Sequence, residues 1–246
     1  MQWNEQDGVR WLAAELPGAT AAFSSRLGGA SSGPYASLNL GLRTGDQAEA
    51  VADNRAALAK AVERDPTGVL VGAQFHGATV LQREESPDPN PWAAAGAEAT
   101  PADGQATASP DLTPLVLVAD CLPIALAGEG AVAMLHCGWR GLAAGIVERG
   151  VSAVAAASAA IGPGIGPCCY EVGDEVRDAF APLGDGIAAG PMLDLPEVAR
   201  RLLGRAGVQR VESADLCTSC EPELFFSHRR DGARTGRQAG LVWADA

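Results

Sequence analysis

ADCLPIALAGEGAVAMLHCGWR, residues 119–140, contains two apolar runs of strand length on either side of a Gly128-Glu129 pair. A Gly-X pair suits a type II′ turn, so this stretch predicts a β-hairpin. With a two-residue loop, Cys121 lies directly opposite His136. Directly opposed side chains on one sheet face have Cβ atoms about 5 Å apart, close enough to share a metal ion or a proton. The hairpin therefore predicts a thiol and an imidazole at one site.

Pro123, inside the first run, has no N–H to donate to a ladder and predicts an edge position or a bulge. The rest of the chain alternates strands and helices without the strict βαβ rhythm of a doubly wound fold, which favours a mixed sheet. The Pro- and Ala-rich stretch 86–114 predicts a long loop rather than a linker, with a short edge strand within 102–107. Strands are also predicted at 20–27, 69–71, 79–82, 159–164, 208–212 and 238–243, and helices at 46–63, 141–157, 171–180 and 197–203.

Length and charge restrict the class of protein. The 246 residues fit one compact unit, so we expect a single domain over 1–246. A formal net charge of −12 argues against nucleic acid as a partner, because phosphate-backbone binding needs a positive field. No signal-peptide pattern follows Met1 and no apolar run approaches about 20 residues, which predicts a cytoplasmic protein with no membrane partner.

Histidine is scarce, since the chain contains only His76, His136 and His228. His76 lies on a turn between two predicted strands, where functional groups are commonly displayed. If Cys121 and His136 are paired, His76 is the natural third ligand of a zinc site with an open fourth position. Asp120 is then a candidate to orient a ligand or a bound water molecule. The alternative is that the thiol and the imidazole are ordinary core side chains.

The remaining cysteines offer a weaker metal site. Cys217 and Cys220 have the separation of half a zinc site, but no second CxxC completes it. Cys168 and Cys169 are adjacent, and a vicinal pair does not easily bind one ion through both sulfurs. A local turn carrying two thiols is the favoured interpretation of the CxxC.

Arginines recur beside glycines and could together bind an anion. Guanidinium groups bind phosphate bidentately, and neighbouring glycines let the backbone approach it. Only one of the eighteen basic residues, Lys60, is a lysine, and its place in a predicted helix disfavours a Schiff-base or P-loop role. Taken singly, each arginine also fits an ordinary surface charge. The candidates are Arg26, Arg43, Arg140, Arg229, Arg230 and Arg237.

Five strings of this sequence resemble the YfiH family, also called the polyphenol oxidase or laccase-domain family, whose members are described as purine nucleoside phosphorylases. The resemblance covers nearly the whole chain, from Ser25 to about Leu241. It departs from the family pattern at Cys220 and Phe75. The strings are QFHGA at 74–78, ADCLPI at 119–124, HCGWRG at 136–141, IGPGIGPCCYEV at 161–172 and FSHRRDG at 226–232.

The resemblance implies an α+β fold, a four-layer αββα sandwich with mixed sheets. It also implies zinc bound by His76, Cys121 and His136, and phosphorolysis of adenosine, inosine and S-methyl-5′-thioadenosine, with deamination of adenosine. The partners expected are therefore purine nucleosides and phosphate. Because the loops at 24–29 and 37–41 also match, Arg26, Asn39 and Arg43 become candidate substrate contacts, alongside Arg140 from the arginine set.

Several chemistries remain open from the sequence. A cysteine hydrolase would use Cys121 as nucleophile and His136 as base. Copper(II) could replace zinc and give polyphenol oxidase activity, although three histidines cannot supply both a blue-copper site and a trinuclear cluster. A deaminase would need Asp120 to shuttle protons, and the HxE and PCxxC pattern of nucleobase deaminases is absent. Some relatives are called peptidoglycan editing factors, which suggests a fourth class, a non-catalytic, zinc-stabilised binding protein that acts on cell-wall precursors.

Overall fold

The computed structural model describes residues 1–94 and 96–245, which form two six-stranded sheets. The first has the order β1-β2-β3-β14-β7-β4 and the second the order β13-β10-β8-β9-β6-β5. The first sheet consists of β1 (Gln2–Gln6), β2 (Val9–Leu16), β3 (Ala19–Ser24), β4 (Val69–Leu70), β7 (Thr113–Val118) and β14 (Gln238–Ala244). The second consists of β5 (Val80–Gln82), β6 (Gly104–Thr107), β8 (Leu122–Ala127), β9 (Val132–Cys137), β10 (Ser158–Ile161) and β13 (Arg210–Ser213).

Helices cover the outer faces of both sheets. Leu58 of the helix α1 packs with residues of the first sheet, and Ile146 of α3 and Val198 of α5 pack with residues of the second. A small ribbon of β11 (Ala188–Ala189) and β12 (Met192–Leu193) lies outside the two sheets. The helices are α1 (Ala48–Ala61), α2 (Trp139–Ala143), α3 (Ile146–Val154), α4 (Asp174–Phe180), α5 (Leu195–Arg205) and α6 (His228–Asp231).

The two sheets pack face to face through small side chains. In β8, Ile124 and Leu126 face the helices, whereas Ala125 and Ala127 face the first sheet and meet Phe23 in a shared core. A strand with both faces covered carries no polar alternation, which explains the continuous apolar run in the sequence. The order helix, sheet, sheet, helix confirms the four-layer αββα sandwich. Parallel pairs (β10 with β13, β4 with β7, β5 with β6) among antiparallel ones confirm that both sheets are mixed.

The central hairpin forms, but its register differs from the prediction by two residues. Ala127 pairs with Val132 and Pro123 with His136, because the turn contains four residues, 128–131, rather than two. The turn closes with a hydrogen bond from Gly128 N to Ala131 O, and Gly130 takes a positive φ of +72°. A shift of two residues preserves the face of every side chain. Cys121, just before β8, therefore still meets His136, but diagonally.

The prediction that Pro123 marks an edge or a bulge was wrong, since β8 lies between β9 and β10. Pro123 is tolerated because the ladder with β10 ends at the pair Ile124–Ile161. One further bond follows, from Gly162 N to Pro123 O, and needs only the proline's carbonyl. The absent N–H therefore costs one hydrogen bond at the end of a ladder rather than in its middle.

Other boundaries also differ from the sequence predictions. The helix expected over 141–157 is two helices, α2 and α3, divided at Gly145, whose φ is +85°. The expected loop 86–114 runs into β7, and the strand within 102–107 lies between β5 and β9 instead of at an edge. The first two strands, β1 and β2, were not predicted. Among the described residues, no helix combines the length and the apolar character needed to span a membrane.

Candidate functional site

A cavity of about 640 Å³ opens where loops from both sheets meet. Its lining includes residues that follow β4, β7, β9 and β10, together with the loop 41–44 and the segment around α6. Because strand ends from two facing sheets converge there, side chains distant in sequence become neighbours. His76, Cys121 and His136 all line this cavity.

The ligand atoms of His76, Cys121 and His136 lie within 4.8 Å of one another. His136 is buried in β9, Cys121 is half-buried just before β8, and His76 is exposed on the loop between β4 and β5. The rings of the two histidines are 4.8 Å apart and edge-on. The three residue types are those that catalytic zinc sites use, with a side left open to the cavity. The structure thus brings together the set that the sequence had indicated.

Asp103 holds this group in place, although no pattern in the sequence singles it out. Its fully buried carboxylate accepts hydrogen bonds from the backbone N–H groups of Phe75, His76 and Gly77, at 2.7 to 3.3 Å. The same carboxylate is 2.8 Å from Nδ1 of His136, so Nε2 is the ring nitrogen that remains for a metal. Hydrogen bonds of this kind orient metal-binding histidines in many proteins. One carboxylate therefore positions two of the three candidate metal ligands.

His76 occupies an uncommon backbone conformation, with a φ of +63°. For a residue other than glycine this region costs about 1 kcal/mol or more. The three hydrogen bonds from the loop to Asp103 fix that conformation. The buried Asp103 carboxylate therefore holds the loop that carries the exposed His76.

Gly138 gives the ligands their close approach. A Cβ at this position would lie 2.9 Å from Cys121 Sγ and 3.2 Å from His76 Cδ2. The first distance is shorter than van der Waals contact allows, so any side chain would push the thiol or the imidazole away. The glycine of the HCGWRG string is thus required by the space at the site rather than by a turn.

The charges of Cys121 and His136 are strongly coupled. Burial alone would raise the pKa of Cys121, but the charge of His136 and hydrogen bonds from both histidines outweigh it and lower the pKa to about 6. Burial alone would lower the pKa of His136, but the Cys121 charge and the hydrogen bond to Asp103 raise it to about 9. Both shifts favour a thiolate beside an imidazolium over two neutral side chains when no metal is bound. Either a metal ion or an electrophile would meet an ionised sulfur there.

Asp120 lines the same cavity, and its backbone φ is +88°. Its carboxylate accepts a hydrogen bond from Thr218 Oγ1 at 2.7 Å and another from the backbone N–H of Arg229 at 2.6 Å. It therefore connects the loop before β8 to two segments near the C-terminus. The carboxylate that bonds a ligand imidazole is Asp103, whereas the sequence had suggested Asp120 for that role.

Five arginines line the cavity: Arg43, Arg55, Arg140, Arg229 and Arg237. Among the described residues, none of the five has a carboxylate within salt-bridge distance, although other arginines of the chain do. Arg229 and Arg237 donate to backbone carbonyls, and the Arg140 guanidinium lies 4.4 Å from the ring of Trp139. A chain with a net charge of −12 thus concentrates positive charge in one cavity.

Arg26 and Asn39 lie outside the cavity lining. Arg26 donates to the carbonyls of Ala36 and Pro222 and stacks on Phe226. Asn39 is fully buried, donates to Thr44 and Asp46, and accepts from Arg237 N. These contacts give both side chains a role in holding loops. The Asn39 bond places the backbone of Arg237, which does line the cavity.

A second group of sulfurs lies in the segments that follow β10 and β13. Cys168 and Cys169 come together with Cys217 and Cys220, and all four Sγ atoms lie within 4.8 Å of one another. The CxxC is a local turn with two thiols, as predicted, but the Sγ atoms of the vicinal pair lie against both of its sulfurs. Sequence spacing did not reveal this, since 47 residues lie between Cys169 and Cys217.

Comparison with known proteins agrees with this architecture. A family model described as multi-copper polyphenol oxidoreductase laccase matches residues 20–245. The purine nucleoside phosphorylase YfiH of Escherichia coli K12 is 37% identical over 256 residues, covering 98% of this chain and 96% of that protein. The purine nucleoside phosphorylase YlmD of Geobacillus stearothermophilus is 36% identical over 263 residues, covering 97% and 96%.

Solved structures give the same result. The crystal structure of a hypothetical protein YfiH from Bacillus licheniformis superimposes with a TM-score of 0.87 at 31% identity, covering 99% of each chain. That of YlmD from Geobacillus stearothermophilus gives 0.87 at 36% identity, covering 99% of this chain and 98% of the other. Because family model, relatives and structures each span nearly the whole sequence, the chain belongs to the YfiH family.

Proposed function

We propose that this protein is a zinc-dependent purine nucleoside phosphorylase that acts on adenosine, inosine and S-methyl-5′-thioadenosine. The observation that carries the proposal is the combination, in one cavity, of the His76, Cys121 and His136 group with five arginines that have no carboxylate partner among the described residues. The names of the relatives from Escherichia coli and Geobacillus stearothermophilus support it.

The donor set fits zinc. Two imidazoles and a thiolate are borderline and soft ligands, and three protein ligands with one open side are typical of catalytic zinc. When bound, zinc would act as a Lewis acid toward a substrate atom or a water molecule. A multi-copper oxidase does not fit, because a blue-copper site and a trinuclear cluster need more than three histidines. Copper at the single site stays an alternative that metal analysis decides.

In phosphorolysis the glycosidic C–N bond breaks and a phosphate oxygen bonds to the anomeric carbon, giving ribose 1-phosphate and the free purine. The arginines would hold the phosphate anion, since guanidinium groups bind it bidentately. They would also oppose the entry of a second cation.

In the deamination of adenosine, a second activity that we include in the proposal, Asp120 is the candidate for moving the proton because this residue lines the cavity.

Incubation of adenosine with and without phosphate tests the proposal, with products identified by mass. We expect adenine and ribose 1-phosphate only when phosphate is present, and inosine as the mark of deamination. Arg140→Ala should raise the KM for phosphate about 10-fold or more and leave the KM for adenosine nearly unchanged, because a charge-assisted contact contributes about 1.5–3 kcal/mol.

Arg149→Ala, which removes an exposed guanidinium from α3, is the matched control and should change neither KM. Equal product yields with and without phosphate would contradict phosphorolysis. An unchanged phosphate KM in the Arg140 variant would remove this residue from the phosphate site.

A cysteine hydrolase is the second candidate, because Asp103, His136 and Cys121 form an acid, base and thiol series in which the thiol is ionised near neutral pH. Protein stripped of metal should show this directly. Alkylation of Cys121 requires the thiolate, so its rate should be high above about pH 6 and fall as the pH drops through that value. Peptide mass spectrometry at a series of pH values measures the rate.

Cys137 is the internal control, since burial and the Cys121 charge raise its pKa well above the usual range and it should stay unmodified. An apparent pKa near that of free cysteine, about 8.5, would contradict the coupled pair. Zinc at this centre in the purified protein makes Cys121 a ligand and rejects the hydrolase. Metal-free protein that cleaves esters would favour it.

A further inference from the structure

The cluster of Cys168, Cys169, Cys217 and Cys220 lies outside the group that we assign to catalysis. Cys220 Sγ is 3.3 Å from Cys168 Sγ and 3.4 Å from Cys169 Sγ. A disulfide would need about 2.05 Å, and all four cysteines are free. In a tetrahedral zinc site with Zn–S bonds of about 2.3 Å, neighbouring sulfurs are about 3.8 Å apart. The separations are therefore those of four ligands around one ion, with no room for the sulfides of an iron–sulfur cluster.

The backbone around Cys217 is arranged for a thiolate. The N–H of Gly166, in the segment that follows β10, donates to Cys217 Sγ at 3.3 Å. An amide donor to a sulfur stabilises its charged form. This observation is independent of the clustering, since it concerns a peptide group of the other segment rather than the other thiols.

The vicinal pair contributes both sulfurs because of its local turn. The N–H groups of Cys169 and Tyr170 both donate to Gly166 O, which curls the chain tightly after Gly166. Adjacent side chains usually point in different directions, which is why the sequence argued against a vicinal pair binding one ion. This tight turn brings both sulfurs to the same side. The two halves are also aligned, because Gly164 N donates to Leu216 O and Thr218 N donates to Gly164 O, extending the β10–β13 pairing.

We propose that Cys168, Cys169, Cys217 and Cys220 bind one zinc ion as a structural tetrathiolate centre, separate from the site of His76, Cys121 and His136. In structural zinc sites four protein ligands fill the coordination sphere, whereas the group of His76, Cys121 and His136 leaves one coordination position open. Four ionisable sulfurs this close repel one another once deprotonated, and a divalent cation offsets that repulsion.

The cysteine cluster is connected to residues of the cavity, which indicates what the zinc ion would stabilise. Thr218, between the two cysteines of the CxxC, donates to the Asp120 carboxylate, and Arg229 donates to the carbonyls of Cys169 and Glu171. Tyr170, next to Cys169, lines the cavity. The ion would therefore fasten the CxxC segment to the segment that supplies Ile165 and Tyr170 to the cavity lining, so the sulfur ligands act as positioning residues.

Zinc content per chain tests the proposal in the full-length protein purified under reducing conditions. We expect two zinc ions in the wild type, one in Cys220→Ser and one in His76→Ala. The Cys220 variant should also melt about 5–10 °C lower, since it loses a cross-link between two segments. Ser219→Ala, in the same turn but with no side-chain role, is the matched control and should keep both ions and the wild-type Tm.

Cobalt(II) titration of metal-stripped wild-type protein gives a readout that does not depend on the folding of a variant. Two equivalents should bind, and one should give the intense sulfur-to-cobalt absorption of four thiolates rather than one. A single zinc per chain that His76→Ala removes would overturn the proposal. A disulfide at Cys220, detected as an intact mass lower by two hydrogens and located by peptide mapping, would also overturn it. Iron instead of zinc at the cysteine cluster would do the same.

Discussion

His76→Ala is expected to lower kcat/KM for the phosphorolysis of adenosine by at least about 1,000-fold while leaving the protein folded. A bound metal contributes several kcal/mol to a transition state, and each 1.4 kcal/mol corresponds to a factor of 10 in rate. The fold should survive because His76 is exposed on a loop, and alanine adopts the same left-handed backbone at a similar cost. Asp103 still receives the three backbone hydrogen bonds that hold the loop.

Zinc content, circular dichroism and steady-state kinetics check this prediction together. His228→Ala is the matched control, since it removes an imidazole from the cavity lining that is not part of the ligand group. It should retain zinc at the catalytic centre. If His76→Ala instead unfolds the protein, the metal is structural and the site is a zinc-stabilised binding module. If the variant keeps both its zinc and its activity, His76 is not a ligand.

Asp103→Asn is expected to have the second largest effect, and on two quantities at once. The affinity for zinc should fall about 10- to 100-fold, as occurs when the partner of a ligand histidine is lost. The free energy of unfolding should fall by about 3 kcal/mol, because a buried carboxylate that bonds His136 and three amides is replaced by a group with one acceptor oxygen. The amide NH₂ would then face backbone donors.

A zinc competition assay and calorimetric melting measure the two effects. Asp53→Asn, on the exposed side of α1, removes the same charge without a buried partner and should change neither quantity. Loss of stability with unchanged zinc affinity would show that Asp103 holds the 75–77 loop without orienting His136. Unchanged values for both would mean that the carboxylate does not position the ligands.

The sequence predicted the ligands better than their surroundings. Cys121 and His136 were paired from a hairpin whose turn was two residues too short, and the pairing survived because an even shift preserves the face of a strand. His76 followed from the scarcity of histidine. Asp103 was missed because its role depends on three amides and a ring brought together by the sandwich, and nothing in its own neighbourhood signals a ligand partner.

For the fold too, features that depend on neighbouring residues were predicted, whereas features that depend on residues distant in sequence were not. Apolar runs indicated β8 and β9. The strand β1 is mostly polar and Arg10 and Glu15 interrupt the apolar residues of β2, and neither strand was predicted. Of the four candidate substrate contacts, two line the cavity and two do not. Arg43 and Arg140 reach the cavity, whereas Arg26 and Asn39 bond to neighbouring loops. Which way a surface arginine turns depends on carbonyls distant in sequence, so it does not follow from the adjacent glycines.

The four-residue turn at 128–131 makes this hairpin a place for engineering. Glu129 and Gly130 are exposed, and a strand rises about 3.3 Å per residue, so the turn lies about 20 Å along β8 from Cys121. An inserted peptide tag or a fluorescent reporter attached at Glu129 would project from the end of the sheet opposite to the candidate metal ligands. Gly128 must be kept, since a Cβ there would collide with Val154 O. The hairpin that assembles the site also provides, at its other end, an attachment point far from the chemistry.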